Sequence, residues 1–356
     1  MDDEIRARGG AVPFREFMEL ALYDPTRGYY ASADAPRAGR QGDFLTAPTA
    51  SGWYAAVLGE WMAEIGVATL VDVGSADGSF LAEIAGRLPS LRLVSVEASA
   101  GLRDLQRRRL STDIEIVEST DRIGAVDPPV CVHACELYDA LPVHRVVRRG
   151  EEVRELWVRR GEDGLEWGEE PAPREVARYL ESHEVVLAEG QLAEVNLAAS
   201  VVHRRLLRTA GHEAVTVAVD YGYPAQRLYD ARGRSAGSLV GYHGHRLTRD
   251  VLARPGEQDL TAHINLDDLR RAAVEQGFEE IGCWPLAEML GRAGLARVVE
   301  VRGLGMDAEL DAEVVTERQE LKRLLDPEGM GSDLRCLVQA RGVIALRVRS
   351  SLAEIW

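Results

Sequence analysis

Positive charge is scarce in this chain of 356 residues, and lysine is nearly missing. Of 42 basic residues only Lys322 is a lysine; 58 acids oppose them, leaving a net charge of −16. Arginine and lysine serve solubility and helix formation almost equally, so their ratio carries no functional argument. The acidic balance does. No basic excess exists to neutralise phosphates, which excludes general nucleic-acid binding and leaves basic partners electrostatically favoured. Four cysteines over this length make no disulfide framework. No apolar run approaches the roughly 20 residues of a membrane span. The acidic start, MDDEIRARGG, has no apolar centre of the kind a signal peptide needs. A cytoplasmic protein in a reducing compartment, with no membrane partner, is therefore expected. Internal repeats and low-complexity tracts are also missing.

What is present is an ordinary globular composition, 46% hydrophobic and 28% charged, long enough for one large domain with insertions or for two domains. In FREFMELALYDPTRGYY, Phe14, Phe17, Met18, Ala21 and Leu22 recur at helical spacing, and Asp24-Pro25 stops the helix. A Gly-, Thr- and Pro-rich loop follows, then an apolar helix from Ala55 to Ile65. From Thr69 the pattern changes. TLVDVG, RLVSVEA, DIEIVES and VCVHACEL read as strands separated by helices, the second helix capped by Ser99. Strands alternating with helices at this spacing predict a parallel, doubly wound α/β sheet. Residues 144–170 read as a β-rich excursion, and 174–211 as helical. EAVTVAVDYG is a fifth strand. Asn265 caps the next helix, with Asp268 as its box partner. FEEIGCW and RCLVQAR are the last strands, with a long helix around 309–325 between them.

VDVGSADGSFL carries the first chemical signal. Gly74 ends a strand, and Gly78 begins a helix four residues later, a spacing that permits a tight turn and close approach of a ligand to the backbone. The spacing is not that of a dinucleotide fingerprint, and Asp77 would oppose a pyrophosphate. A helix N-terminus can instead hold one carboxylate, while Asp72 attracts an ammonium. S-adenosylmethionine presents both groups at one end. Glu97, ending the next strand, suits its ribose hydroxyls, and Glu118 or Ser119 would lie near the adenine. The alternative is a tight strand–helix turn with no ligand.

At these residues the chain resembles the MidA-type class I methyltransferases, which include a mitochondrial complex I assembly factor that methylates arginine and its bacterial relatives. The matching segments are FREFMELALYDPTRGYY, GDFLTAP, VDVGSADGSFLAEI, VEASAGLRDLQRRRL, ELYDALPVH, VDYGYP, LVGYHGHR, PGEQDLTAHINLDDL and GMGSDLRCLVQA, so the likeness runs from about 13 to 340. The resemblance implies a Rossmann-like sheet, S-adenosylmethionine as cofactor, and an arginine on a protein partner as acceptor. Three departures stand out: Asp72 and Ala76 in the glycine turn, Cys135, and SGWYAA after GDFLTAP.

CELYDALP raises a separate question, because an apolar strand delivers two acids, Glu136 and Asp139, at its end. Ligands of a doubly wound sheet lie outside the carboxyl ends of its strands. Buried carboxylates demand a cation, and guanidinium is planar, always charged, and gripped bidentately by carboxylates. Glu136 is read as the guanidinium clamp and Asp139 as its partner. The competing readings make Asp139 the N-cap of a helix at ALPVH and give Glu136 to the cofactor's amino group or to a neighbouring backbone group.

Other candidates are weaker. His263, in QDLTAHIN with Asp259 and Thr261, can orient substrate, accept a proton, or hold a loop by a hydrogen bond. Gly42, Asp43 and Thr46 read as a lid over the cofactor. Asp220 and Tyr221 share the catalytic edge. Cys131, His133 and Cys135 alternate on one strand face without a fourth ligand at metal spacing, so no metal site is assigned; His243 and His245 read as polar loop. The expected division is a helical and lid segment over 1–66, a cofactor-binding half over 67–143, an inserted substrate subdomain over 144–212, and the rest of the sheet over 213–356. The expected activity is N-methylation of a protein arginine. Methylation of a small molecule and a non-enzymatic assembly chaperone that binds the cofactor are the other two readings.

Overall fold

The computed structural model describes residues 2–31, 46–162, 164–244, 246–302 and 312–353. Seven strands make the central sheet: β1 Thr69–Val73, β2 Arg92–Val96, β3 Glu115–Val117, β4 Val130–Cys135, β5 Ala214–Tyr223, β6 Glu279–Pro285 and β7 Leu334–Arg341. Their spatial order is 3-2-1-4-5-7-6. Strands β1 to β5 are parallel, and β7 runs antiparallel to β5 and β6. A two-residue strand, Ile264–Asn265, adds to the end of β5. The chain builds outward from β1 to β3 and then returns to start β4 on the other side. The ends of β1 and β4 therefore form the switch point where such sheets bind ligands.

Strands β1 and β4 are buried along their whole length because helices cover both faces, as a parallel sheet requires. One face packs on Gly52–Ile65, Ser79–Arg87, Leu286–Arg292 and Ile344–Ser351, through Trp61, Phe80, Leu290 and Val348. The other packs on Leu197–Ala210 and Leu266–Glu275, through Leu206, Leu207, Leu269 and Ala273. Each fully buried large apolar side chain contributes about 1.5–3 kcal/mol.

A second, antiparallel sheet contains the excursion after β4: His144–Arg149, Glu152–Arg160, Leu165–Pro171 and Leu192–Val195. Its edge is the N-terminal strand Ala11–Pro13, with Val12 opposite Val158, so the N-terminal segment and the insertion share one sheet. The continuous helical stretch expected over 174–211 is instead two helices, Arg174–Ser182 and Leu197–Ala210, with Leu192–Val195 between them. Glu184 takes a left-handed backbone angle just past the first helix and Gly190 another just before the strand, and pairing with His144–Val147 decides the conformation of the strand. The helix Phe14–Tyr23 buries the five predicted residues and ends where the Asp24 carboxylate accepts the Thr26 and Arg27 N–H groups at 2.9 Å each.

The Asn265 cap also differs in detail. Its side chain accepts the Asp267 N–H at 3.1 Å, while Asp268 is not a box partner. Asp268 accepts the Tyr179 hydroxyl at 2.6 Å and lies 2.8 Å from His183 Nε2, tying the insertion's first helix to Leu266–Glu275. Among the described residues no helix is long and apolar enough to cross a membrane.

Candidate active site

The glycine turn after β1 has three left-handed residues: Gly74 at φ 73°, Ala76 at 47° and Gly78 at 76°. Ala76 bears a Cβ in a region that costs a non-glycine residue about 1–2 kcal/mol, so surrounding contacts must hold it. Gln106, buried in Ala100–Arg109, donates to the Ser75 hydroxyl at 3.0 Å and the Ala76 carbonyl at 2.7 Å. Ser95 donates to Gln106 Oε1 at 2.6 Å and lies 2.5 Å from Ser75 Oγ. A Cβ on Gly78 would come within 3.1 Å of Gln106 and Leu110. Asp77 accepts the Ser79 N–H at 3.0 Å, so it starts the following helix.

Glu97 ends β2 and is 8% exposed. One carboxylate oxygen accepts the Ala76 N–H at 3.0 Å and the other the Ser99 N–H at 2.8 Å. Burial pushes its carboxyl up to about 7. Each oxygen keeps a lone pair on a carboxylate fixed by backbone, which fits the two hydroxyls of a ribose. Ser99 also caps its helix, accepting the Leu102 N–H at 3.2 Å.

Asp72 has a different setting. Its Oδ1 lies 2.7 Å from His133 Nδ1, and His133 Nε2 lies 2.7 Å from the Tyr54 hydroxyl. All three groups are buried. His133 thus has both ring nitrogens engaged inside the fold. Tyr54, part of the departing SGWYAA segment, faces the core beside Phe80. Glu118 is exposed, and its carboxylate pairs with Arg122 at 3.2 Å; Ser119 starts a single helical turn, Thr120–Arg122. Of the expected lid residues, Gly42 and Asp43 lie outside the described residues. Thr46 forms a reciprocal cap with Thr49, and the next N–H, of Ala47, donates to Glu136 Oε1 at 3.1 Å.

Glu136 itself takes φ 52°, so the chain turns sharply at the end of β4 and aims this side chain across the sheet edge. Besides Ala47, the Cys135 thiol approaches the same carboxylate at 3.8 Å. No helix begins at Asp139; residues 136–143 form a turn that enters His144–Arg149, so Asp139 is not an N-cap. Asp220 braces this turn, accepting N–H groups from Leu137 at 3.2 Å, Tyr138 at 2.8 Å and Tyr221 at 2.8 Å. Burial pushes Glu136 up to about 8 and Asp220 up to about 7, and the Glu136 rise is reinforced by Asp220 and Asp259. Asp139 is raised well above the carboxylate range by burial, then by Asp220, Glu136 and Asp259. Among the described residues neither Glu136 nor Asp139 forms an ion pair.

Two tyrosines from the N-terminal segment bridge the two sets of acids, Tyr23 exposed and Tyr30 half-buried. Tyr23 donates to the Ala140 carbonyl at 2.9 Å and stacks on Tyr30. Tyr30 donates to Asp259 at 2.8 Å, and its carbonyl accepts the Ser99 hydroxyl at 2.6 Å. His263 is less available than a base must be. Its Nδ1 accepts from Arg234 at 3.0 Å, and burial with Arg234 beside it holds the ring down to about 4. His243 Nδ1 lies 2.7 Å from the Glu257 carbonyl; His245 is outside the described residues. The sequence reading missed the Asp72–His133 pair, Tyr23, Tyr30 and Gln106. Only Gln106 left a local trace, as a polar residue on an apolar helix face.

Known proteins resemble the chain over most of its length. The profile of the family described as "Putative S-adenosyl-L-methionine-dependent methyltransferase" matches residues 56–283. The mitochondrial protein arginine methyltransferase NDUFAF7 of Danio rerio is 26% identical over 370 aligned residues, 90% of this chain and 82% of that protein. The Drosophila melanogaster NDUFAF7 homolog is 26% identical, covering 94% of this chain and 83% of its own length. A Burkholderia thailandensis crystal structure with S-adenosyl-homocysteine bound superposes with TM-score 0.82 at 25% identity, over 97% of this chain and 92% of that one. S-adenosylmethionine is the cofactor, and Glu97 with the Gly74–Gly78 turn fits it. The chain belongs to the MidA-type family of S-adenosylmethionine-dependent methyltransferases.

Proposed function

We propose that this methyltransferase acts on the guanidinium of an arginine carried by a protein partner. The relatives named protein arginine methyltransferases support this reading. One observation carries it: Glu136, Asp139 and Asp220 crowd the end of β4, all raised by burial, with Asp220 raising the other two further, and with no ion pair at Glu136 or Asp139 among the described residues. Such a cluster stabilises an incoming cation more than any neutral acceptor. The small-molecule reading leans on SGWYAA and Cys135 as marks of an altered pocket; Trp53 and Tyr54 are instead buried in the core, while Cys135 lies beside the Glu136 carboxylate.

When bound, S-adenosylmethionine supplies an electrophilic methyl on a cationic sulfur. The chain does the rest. Glu97 and the glycine turn hold the cofactor. Glu136 and Asp139 grip the guanidinium and align one nitrogen, and alignment of this kind lowers a barrier substantially. Asp220 fixes the turn that carries both acids. As the nitrogen gains a methyl it must release a proton; Glu136, which in the ligand-free chain keeps its proton up to about 8, is ionised by the bound guanidinium, and its high proton affinity then makes it the acceptor. Tyr23 and Tyr30 tie the N-terminal segment to this edge through Ala140, Asp259 and Ser99.

The test uses purified protein, methyl-labelled S-adenosylmethionine and a fractionated cell extract. Label should appear on a protein and survive acid hydrolysis as methylarginine, identified by mass. Label confined to metabolites would replace the arginine assignment with a small-molecule acceptor. Cofactor binding with no label anywhere would favour the chaperone reading.

A further inference from the structure

Many arginines on this acidic surface face carboxylates, as Arg149, Arg204, Arg270 and Arg292 do. Three near the acceptor edge do not. Arg227, Arg234 and Arg335 gather around the ring of Tyr223, with guanidinium carbons 4.2, 4.4 and 5.7 Å from its centroid. They come from separate segments: a short helix after β5, the helix Ala231–Arg234, and the start of β7. Among the described residues none of the three forms an ion pair, and the hydrogen bond from Arg234 to His263 Nδ1 at 3.0 Å uses a neutral acceptor. One aromatic face offsets only a small part of the repulsion among exposed cations. That does not neutralise three mutually repelling charges, and a planar anion would.

The place matters as much as the charge. Tyr223 ends β5, and Tyr221 two residues earlier senses Glu136 and Asp139. The His263 ring lies between them, 6.0 Å from the Tyr221 ring and 5.8 Å from that of Tyr223. The Tyr221, His263 and Tyr223 rings thus connect the acid cluster to the arginine trio along one edge, and an extended peptide laid along that edge advances about 3.3 Å per residue. We propose that the trio around Tyr223 binds the carboxylate of an Asp or Glu lying two or three residues from the methylated arginine in the protein substrate. The inference rests on the arginine reading above and names the sequence context in which that arginine sits.

Four labelled hexapeptides test it by fluorescence anisotropy in phosphate-free buffer with S-adenosyl-homocysteine present. They carry arginine or citrulline at one position, crossed with glutamate or glutamine two and three residues away. The arginine–glutamate peptide should bind about ten-fold tighter than arginine–glutamine. That gap should shrink to about two-fold or less in Arg227→Gln and in Arg335→Gln, with S-adenosyl-homocysteine affinity serving as the fold control. Equal binding of glutamate and glutamine peptides, binding of neither, or a glutamate preference that survives both substitutions would overturn the proposal. So would tight binding of inorganic phosphate without peptide discrimination, which marks a free-anion site. The citrulline pair reads the other question: if citrulline costs nothing while the glutamate preference persists, the arginine reading fails and the anion site stands.

Discussion

Glu97 and Glu136 look alike in the sequence. Each ends a parallel strand of the same sheet, Glu97 buried and Glu136 half-buried, and each is raised, to about 7 and about 8. Their surroundings differ. Both Glu97 oxygens are held by backbone N–H groups, and Arg103, donating to the Glu97 carbonyl at 2.7 Å, adds positive charge nearby. That side chain is a fixed acceptor with little charge to dispose of, suited to neutral hydroxyls. Glu136 has one backbone donor and a thiol, and faces Asp220, Asp259 and Asp139. It is suited to a cation. Secondary structure puts both acids at strand ends; the charge of the groups around each acid decides which ligand it takes.

The largest expected effect breaks the Glu136 side of that comparison. Glu136→Gln keeps the shape and an acceptor for the Ala47 N–H but removes the charge. Methyl transfer should fall by about 10³-fold, in line with loss of one preorganised electrostatic contact, while calorimetry shows cofactor affinity within about two-fold of wild type. Full turnover by this variant would remove the clamp role. Glu97→Ala should do the reverse. Losing two charge-assisted hydrogen bonds of about 1.5 kcal/mol each weakens S-adenosylmethionine binding by about 100-fold, and turnover at saturating cofactor suffers far less. If the two variants exchanged phenotypes, the assignment of the two acids would be inverted.

That the two sites share one edge is legible in the sequence, because apolar runs of strand length ending in Gly74, Glu97 and Glu136 define a doubly wound sheet locally. The partners of these residues are not. Asp72 and His133 stand directly opposite in register on β1 and β4, a fact that depends on which strands are neighbours. The Asp220 brace and the Tyr23 and Tyr30 contacts likewise join segments far apart in the chain. The break of the helix over 174–211 leaves only Gly190 as a local signal, and residues 192–195 take strand form because His144–Val147 lie beside them. Asp139 illustrates the converse: a residue type that caps helices occurs here in a turn because β4 must lead directly into His144–Arg149.

The smallest expected effect sharpens the comparison through pH. Glu97 must be ionised for both oxygens to accept ribose hydroxyls, so S-adenosylmethionine affinity should weaken as pH falls below about 7, approaching ten-fold per unit once the proton is bound. Stability of the ligand-free protein should move oppositely. The folded chain holds protons on Glu97, Glu136 and Asp220 up to about 7, 8 and 7, where the unfolded chain releases them near the ordinary 4.5 for Glu and 3.8 for Asp. Between those limits the native state binds more protons, so stability falls as pH rises. A thermal melt without ligand should therefore shift upward from pH 8 to pH 6, while cofactor affinity declines over part of the same range. Glu97→Gln should flatten the affinity profile and leave most of the melting trend, because Glu136 and Asp220 still carry it. A variant that flattened both would place the raised acids in one titrating unit and erase the distinction between the two ends of the site.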